Sequence, residues 1–320
     1  MDSLSHALIG IAIAGLSGHP LSFYDPIYLA TILGAQAPDF DIIAQVKGNF
    51  SYLRQHRAFS HSIPGLILWS IMISIGLSIF MPQTTLLTLL GWSFAGCLSH
   101  ILIDYFNTHG AALLWPVRKE RKSLQLLNVF DPILLVLLLS IYVLHFSMFT
   151  LSCLTLLTLM SYIIFRAILR RKGKNQLLDL FSERDILQIT VMPSLKRILY
   201  WDFVLETNDS YLVGQVGALS PVFKLHADLR KPKDISNFTQ QALKTIIGDF
   251  FTTFTPFMYF KEQKSPHSIS VTIYDLRYVL NKEFIHRATI IFDSNNLPTT
   301  SYLHTYGSTT KIPCELNLNI

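Results

Sequence analysis

The chain has 320 residues, of which half are hydrophobic and 15% are charged, and its mean hydropathy is +0.38. Soluble domains carry about 25% charged residues, so this shortfall predicts a membrane protein. The low glycine, proline and cysteine content, together with the high apolar content, excludes collagen-like, disordered and disulfide-stapled classes. Cys97, Cys153 and Cys314 form no CxxC pair, so a Cys-ligated zinc site is not predicted.

Apolar segments follow one another through the first half of the chain, at about 4–18, 27–38, 63–81, 85–106, 131–148 and 150–168. A span needs about 20 apolar residues. The third and fourth segments have this length, and the last two share one apolar block that we expect to turn near 145–150. The sequence predicts an α-helical multi-pass membrane domain at residues 1–170. It leaves open whether segments 4–18 and 27–38 fully span, re-enter or form a hairpin.

Basic residues set the expected orientation, because they favour the cytoplasmic side of a membrane. Two basic clusters, at 118–122 and 166–174, are separated by two spans, so both can be cytoplasmic. The first residues carry an acid and no base before the apolar run, which is not typical of a cleaved signal peptide. We therefore expect a multi-pass protein of the cytoplasmic membrane with its C-terminal region in the cytoplasm. The basic runs also attract anionic lipids, and nucleic-acid binding is not expected.

After residue 174 the composition changes. Short β-branched or alternating runs occur at 187–191, 202–205, 211–216, 268–274 and 289–292. Turn signals such as Asn208-Asp209 and Asn295-Asn296 separate them, and one amphipathic helix is expected at 238–250. The sequence predicts a soluble cytoplasmic β-rich or α+β domain at 175–320. Its four histidines lack ligand spacing and are assigned no role.

Histidine and charge are distributed unevenly along the chain. Residues 1–168 hold 8 Lys and Arg and 7 Asp and Glu, yet they hold 7 of the 11 histidines. Four short patterns contain these histidines or the acids near them: Asp2-x-x-x-His6-x-x-x-Gly10, Pro38-Asp39-Phe40-Asp41, His56-Arg57-Ala58-Phe59-Ser60-His61-Ser62 and His100-x-x-x-Asp104-x-x-Asn107-x-x-Gly110. Under the expected topology, all four patterns lie at the cytoplasmic face.

The helical patterns have a direct geometric meaning. His100 and Asp104 are four residues apart, so on a helix they share one face and can hold one ion between them. Asp2 and His6 have the same spacing.

The other two patterns fall in loops. Asp39 and Asp41 alternate, so in an extended loop both side chains project to one side. His61 begins a helix, and His56 lies in the loop before it. A single histidine at a helix end is more often structural, so the interpretation rests on the four patterns together.

Ionisable groups near hydrocarbon are costly unless they are paired or ligated, which makes them candidates for a functional site. Mixed imidazole and carboxylate ligands suit zinc, manganese or iron, with zinc favoured, and their number allows two or three ions. Such a site activates water for attack on an ester. The expected metal ligands are His6, Asp39, Asp41, His56, His61, His100 and Asp104; the expected catalytic residues are Asp41 as a base and Arg57 and Asn107 at the developing anion. His109 is a weaker candidate.

These four patterns resemble those of the membrane-bound metal-dependent hydrolases of bacteria, over residues 1–170. Ser60 occupies a position where that family often has Thr. The added C-terminal domain resembles longer members from Gram-positive bacteria. The order of the patterns is also faintly similar to zinc-dependent phospholipases C and single-strand nucleases, which hold three zinc ions. That similarity implies ligand roles for His6, Asp39, His61, His100 and Asp104, while the later ligands of those enzymes have no counterpart here.

Two functions of different classes follow from the sequence. The first is a hydrolase of the cytoplasmic membrane that uses metal-activated water on an amphipathic or lipid-like phosphoester at the cytoplasmic interface. The second is a non-catalytic metal- or lipid-binding anchor whose C-terminal domain acts as a sensor or docks a cytoplasmic protein. Transport of a divalent ion is disfavoured, because the ionisable residues do not continue to the midplane.

Overall fold

The computed structural model describes residues 1–41, 50, 59–108, 110–118, 121–195, 197–266, 268–280 and 282–315. The predicted site residues His56 and Arg57, and the weaker candidate His109, lie outside these described residues. The chain divides into two compact units, Met1–Leu169 and Arg170–Ile320.

The first unit is helical. Its helices are α1 (Ser3–Gly15), α2 (Pro26–Gln36), α3 (Ile63–Phe80), α4 (Leu86–Phe106), α5 (Pro132–Ile141) and the start of α6 (Met148–Leu180). Within the described residues, α3, α4 and α6 are long and apolar enough to cross a membrane, whereas α1 and α5 are shorter apolar helices. The chain turns at residues 142–147 and α6 begins at Met148, so the turn predicted near 145–150 occurs about three residues earlier than expected.

Polar caps define where these helices start. Asp25 and Asp131 each accept a backbone N–H of the following helix, and in both cases proline occupies the first helical position. Ser62 and Thr85 cap α3 and α4 in the same way. In a strongly apolar sequence, these caps set the boundaries that hydrophobicity alone leaves undefined.

Glycine allows α2 and α4 to pack closely. A Cβ on Gly34 would overlap the carbonyl oxygen of Ser93, and a Cβ on Gly96 would overlap that of Thr31. Small residues at such crossings are typical of helix packing in membranes. The close approach places the C-terminal end of α2 directly beside the histidine-bearing face of α4.

The second unit contains two antiparallel sheets. The first sheet has the order β1 (Ile186–Pro193), β2 (Tyr200–Thr207), β3 (Ser210–Gly217) and β4 (Phe223–Arg230); the second has the order β11 (Ser308–Ile312), β10 (Pro298–Thr305), β9 (Arg287–Phe292), β6 (Ser268–Asp275) and β5 (Met258–Ser265). A small hairpin joins β7 (Val279–Leu280) to β8 (Glu283–Phe284). The predicted class, a helical membrane domain followed by a β-rich or α+β domain, is confirmed.

The predicted single helix at 238–250 is wrong in detail. The chain forms α7 (Asn237–Leu243) and α8 (Ile246–Phe254) instead. The first helix ends at Leu243 with Lys244 as its C-cap. Thr245 caps the start of the second helix, because its hydroxyl accepts the N–H of Gly248. The amphipathic pattern continues across this break, so periodicity did not reveal it.

Candidate metal centre

Four predicted ligands from three separate parts of the chain meet in the first unit. Asp39 follows α2, His61 ends a short 3-10 turn before α3, and His100 and Asp104 lie on the last turns of α4. One ligand atom from each residue lies within 4.8 Å of every other. The side chains of His61, His100 and Asp104 are fully buried, and that of Asp39 is 25% exposed.

Five of the six distances between ligand atoms of this four-residue cluster are similar, and the sixth joins the two carboxylates. His61 Nε2 lies 3.2 Å from His100 Nε2, 3.5 Å from Asp39 Oδ1 and 3.3 Å from Asp104 Oδ2. His100 Nε2 lies 3.5 Å from Asp39 Oδ1 and 3.6 Å from Asp104 Oδ2. Ligand atoms at about 2.0–2.1 Å from a tetrahedral ion lie about 3.3–3.4 Å from one another. The cluster therefore has the size of a single four-coordinate site.

Second contacts orient both imidazoles for this geometry. The Nδ1 atom of His100 lies 2.7 Å from the carbonyl oxygen of Ala35, to which it can only donate. That tautomer leaves Nε2 with a lone pair directed at the cluster. His61 Nδ1 lies 2.9 Å from Ser60 Oγ, and this hydroxyl donates to Asp41 Oδ2 at 2.7 Å. Ser60 and Asp41 therefore fix the orientation of the His61 ring through its Nδ1 edge, opposite the Nε2 atom that faces the cluster.

Asp41 takes a different place from the one predicted. Residues 37–41 form a 3-10 turn and not an extended loop, so alternate side chains do not project to one side. Asp39 reaches His61 Nε2, whereas Asp41 lies 3.6 Å from His61 Nδ1, on the other edge of the ring. The expectation that both carboxylates face one point is wrong for this geometric reason.

His6 and Met1 contact the cluster from α1. The ring of His6 stacks on that of His100 with centroids 3.7 Å apart, and its Nε2 lies 3.4 Å from Asp104 Oδ1. This nitrogen is buried and makes no hydrogen bond to any residue that the structure describes. The α-amino group of Met1 also contacts Asp104 Oδ1. The buried donor set and the orphaned His6 nitrogen fit a cation held by nitrogen and oxygen ligands.

Asp2 does not share a helix face with His6, although the spacing suggested that it would. It precedes α1, and its two carboxylate oxygens accept the backbone N–H and the hydroxyl of Ser5 at 2.9 and 2.7 Å. An acid one residue before a helix is well placed to cap it, and this local bond competes with the longer reach to a ligand position.

The loop after α4 holds Asp104 in place. Asn107 donates its side-chain amide to Asp104 Oδ1 at 2.7 Å and accepts the N–H of Gly110 at 3.1 Å. Gly110 has a φ of +68°, and a Cβ there would overlap the carbonyl oxygen of Lys122. The spacing Asp104-x-x-Asn107-x-x-Gly110 thus encodes a turn that fixes a carboxylate.

The electrostatics of the exposed edge favour an ionised carboxylate. Partial burial opposes ionisation of Asp39, but the imidazoles of His100 and His61, when they carry a proton on Nε2, hold the pKa of its carboxyl well below the usual range. A cation bound to the same nitrogens acts in the same direction. Sequence reasoning missed the carbonyl of Ala35 and the amine of Met1, because backbone groups carry no residue-type signal. Sequence reasoning described Ser60 only as the residue that replaces a frequent Thr. Its hydroxyl lies next to His61 in the sequence, and this position could have indicated a hydrogen bond to a ligand.

Arg166 belongs to the basic cluster that predicted the membrane orientation, but its side chain is buried within the first unit. Arg166 is 2% exposed, and it donates to the carbonyl oxygen of Leu126 at 2.9 Å and to Asn128 Oδ1 at 3.1 Å. It therefore braces the segment that pairs with the end of α4, where Leu126 and Leu127 both donate to the carbonyl of Phe106.

Comparison with known proteins places both regions. A family model described as YdjM inner membrane protein matches residues 1–173, and one described as YfhP C-terminal alpha/beta plait domain matches residues 237–313. The chain is 30% identical over 224 residues to the uncharacterized protein YfhP of Bacillus subtilis (strain 168), a match covering 67% of this chain and 68% of that protein. No solved structure matches the chain. The first match covers more than half of its length, and the chain belongs to the YdjM inner membrane protein family.

Proposed function

We propose that this protein is a metal-dependent hydrolase of the cytoplasmic membrane. The observation that carries the proposal is the set of five nitrogen–nitrogen and nitrogen–oxygen distances of 3.2–3.6 Å among Asp39, His61, His100 and Asp104. Two neutral imidazoles and two carboxylates carry two negative charges, which a divalent cation balances. Zinc suits this donor set best, and manganese or iron are the alternatives.

A divalent ion held here would lower the pKa of a bound water and polarise an ester oxygen. The residues around it divide into two groups. The four-residue cluster provides direct ligands, while Ser60, Asp41 and Asn107 hold those ligands in position. Because the amide of Asn107 is bonded to Asp104 and Gly110, we assign it a positioning role in preference to contact with a developing anion.

The general base of the proposed reaction lies at the exposed edge of the site. Asp41 is 10% exposed and lies beside His61 Nδ1 through Ser60. We assign Asp41 as the base that accepts a proton from water at this edge of the site, and Arg57 keeps its expected role at the anion. The number of ions, expected to be two or three, rests on His6, which lies near the second oxygen of Asp104.

The surroundings of Asp39 favour an amphipathic substrate. Phe40 and Phe59 are both exposed, and they contact the rings of Trp69 and Trp115 respectively. Aromatic side chains of this kind concentrate at membrane–water interfaces. A phospholipid or isoprenoid phosphate, with its ester at the headgroup level, would bring an anionic oxygen to the edge of the cluster while its chains remain in the bilayer.

Hydrolysis by the full-length chain in nanodiscs tests the proposal. The chain would be loaded with zinc or manganese and given phospholipids and isoprenoid phosphates, with released phosphate or headgroup as the readout. We expect turnover by the wild type, none by His61→Ala, and unchanged turnover by His19→Ala, which removes an exposed histidine of the same unit. Tightly bound metal without turnover of any of these substrates would contradict the proposal and favour the metal-binding anchor with a cytoplasmic sensor or docking domain.

A further inference from the structure

Two loops at one end of the first sheet of the second unit expose apolar side chains. Loop 194–199, of which the structure describes every residue except 196, joins β1 to β2, and loop 218–222 joins β3 to β4. Leu199, Leu219 and Val222 are 49%, 59% and 49% exposed, and Leu225 at the start of β4 is 42% exposed. The N–H of Ala218 donates to the carbonyl of Leu199 at 2.8 Å, so the two loops are adjacent. Together these exposed side chains form an apolar patch at this end of the sheet, which we call the tip.

The tip is basic at its rim and contains no acidic residue. Arg197 and Lys224 are exposed, and neither loop segment includes Asp or Glu. Both cations act on the same neighbour: partial burial, then Lys224 and Arg197, lower the pKa of His226. The opposite end of the sheet is different, because there Lys231 pairs with Glu206 and Arg184 with Asp228. The positive charge is therefore concentrated at the apolar end.

The part of α6 that belongs to this unit packs at the same end of the sheet. Arg170 donates to the carbonyl oxygen of Val191 at 2.6 Å. A Cβ on Gly173 would lie 3.4 Å from Val216 and 3.8 Å from Trp201. These two residues pair between β2 and β3, and they lie close to the two loops, Trp201 shortly after the first and Val216 shortly before the second. Exposed basic residues of α6, at 171, 172 and 174, flank this contact.

Chain length alone limits the distance between this sheet end and the spanning part of α6. Gly173 follows the exposed apolar Ile168 by five residues, and five residues of any conformation reach at most about 18 Å. The headgroup layers add roughly 6 Å to each side of the hydrocarbon. This limit holds however the two units are oriented, and it keeps the sheet end within reach of the headgroup layer.

We propose that the exposed side chains of Leu199, Leu219 and Val222 form a membrane-docking surface that inserts into the interface of the bilayer that the chain spans. Arg197, Lys224 and the basic residues of α6 contact anionic phospholipid headgroups. The docking surface requires no metal in the first unit, so failure of the hydrolase proposal leaves it intact. In this proposal two features hold the C-terminal domain at the membrane: its chain connection to the spanning part of α6, and the insertion of its apolar tip.

Site-specific fluorescence on the full-length chain tests this surface. Cys97, Cys153 and Cys314 would be replaced by alanine, and an environment-sensitive fluorophore attached to Leu219→Cys. Asn208→Cys, exposed in the turn at the other end of the same sheet, is the matched control. In nanodiscs of phosphatidylglycerol and phosphatidylcholine, we expect blue-shifted emission and quenching by doxyl lipids at 219, and neither at 208.

Charge-neutralising variants and lipid composition distinguish what covers the tip: anionic lipid, neutral lipid or protein. Arg197→Gln/Lys224→Gln should shift the ratio of docked to undocked label by about fivefold for each cation in anionic nanodiscs. Emission at 219 that matches the control overturns the proposal. A blue shift without lipid quenching overturns it as well, because it shows that protein covers the tip. Equal docking on phosphatidylcholine alone overturns the role assigned to anionic lipid.

Discussion

Both units of the chain bury histidine and aspartate, but they do so in opposite ways. In the second unit His286 is buried among the rings of Phe254, Tyr278 and Tyr306, and its Nδ1 lies 3.1 Å from the Thr305 hydroxyl. Burial lowers the pKa of His286 to about 4, so the ring is held neutral. This histidine is part of a core.

Asp275 in the second unit is equally well satisfied. Its carboxylate pairs with Arg277 at 2.9 Å and accepts the hydroxyl of Thr255 at 2.7 Å. In the first unit, by contrast, two imidazoles and two carboxylates direct ligand atoms at one point. Burial alone does not identify a site; convergence of ligand atoms at metal-compatible distances does.

The largest expected effect comes from Asp104, which contacts both imidazoles of the cluster and His6. Asp104→Asn keeps the shape and removes the charge, so metal affinity should fall by more than roughly 100-fold, beyond the 10–100-fold typical of outer-shell changes. Asp25→Asn is the matched control, because Asp25 pairs with His19 at the other end of α2 and asparagine is a good helix cap. Metal titration of both proteins measures the difference, and equal affinities would remove Asp104 from the site.

The helix crossing behind the cluster gives the next effect. Gly34→Val forces α2 away from Ser93 and with it the carbonyl of Ala35 that orients His100. Overpacking of this kind costs about 1–3 kcal/mol, and metal affinity should fall with it. Gly91→Val is the control, since a Cβ there meets nothing within 4 Å. Thermal unfolding in detergent, with and without metal, checks both; a Gly34 variant as stable as the Gly91 variant contradicts the packing account.

A smaller effect is expected at Ser60. Ser60→Ala removes the hydroxyl between His61 Nδ1 and Asp41, so metal affinity should drop about 10-fold, as for other outer-shell partners. Ser60→Thr retains the hydroxyl and should bind like the wild type. Competition with a fluorescent zinc chelator resolves this difference. Loss of affinity in the threonine variant as well would indicate a steric effect and not the hydrogen bond.

The smallest effect concerns the pH dependence of the second unit. Burial raises the pKa of Asp202 to about 6 although Gln215 donates to it, so its contribution to stability is lost as the pH rises from about 4 to 6. His286, with its lowered pKa, contributes stability that is present above pH 6.5 and lost as the pH falls towards 4. The two slopes oppose each other between pH 4 and 6.5.

Asp202→Asn should therefore leave only the pH dependence that His286 gives to the free energy of unfolding. In this variant, the free energy of unfolding of the second unit should rise by about 1 kcal/mol between pH 5 and 6.5, whereas the wild type changes less. Hydrogen exchange of backbone amides in β2 and β9 reports on this unit within the full chain. A variant whose pH profile matches that of the wild type would show that the Asp202 carboxyl titrates normally.

The membrane class and most helix positions could be predicted because apolar length is a strong signal. The cluster was also accessible, since spacing places His100 and Asp104 on one face and topology brings their partners to the same end. What failed depended on local backbone geometry: the 3-10 turn at 37–41 separates Asp39 from Asp41, and the first-turn cap takes Asp2 away from His6. Neither feature has a periodic pattern.

The second unit was harder to predict in detail. Its strands were recognised where β-branched residues alternate, as in β2 and β3, but β5 contains the polar sequence from Lys261 to Ser265 and gave no strand signal. β5 owes its pairing to the neighbouring β6, to which it is bonded along its whole length. Strand formation here depends on tertiary context more than on local propensity.

The central claim is that the cluster of Asp39, His61, His100 and Asp104 holds a divalent ion. Metal content by mass spectrometry, on full-length protein purified in detergent without chelator, tests it most directly. We expect at least one equivalent of zinc or manganese in the wild type and in His19→Ala, and none in His100→Ala/Asp104→Ala. Wild-type protein without metal, or equal metal in the double variant, would contradict it and make the buried histidines of the first unit structural, like His286.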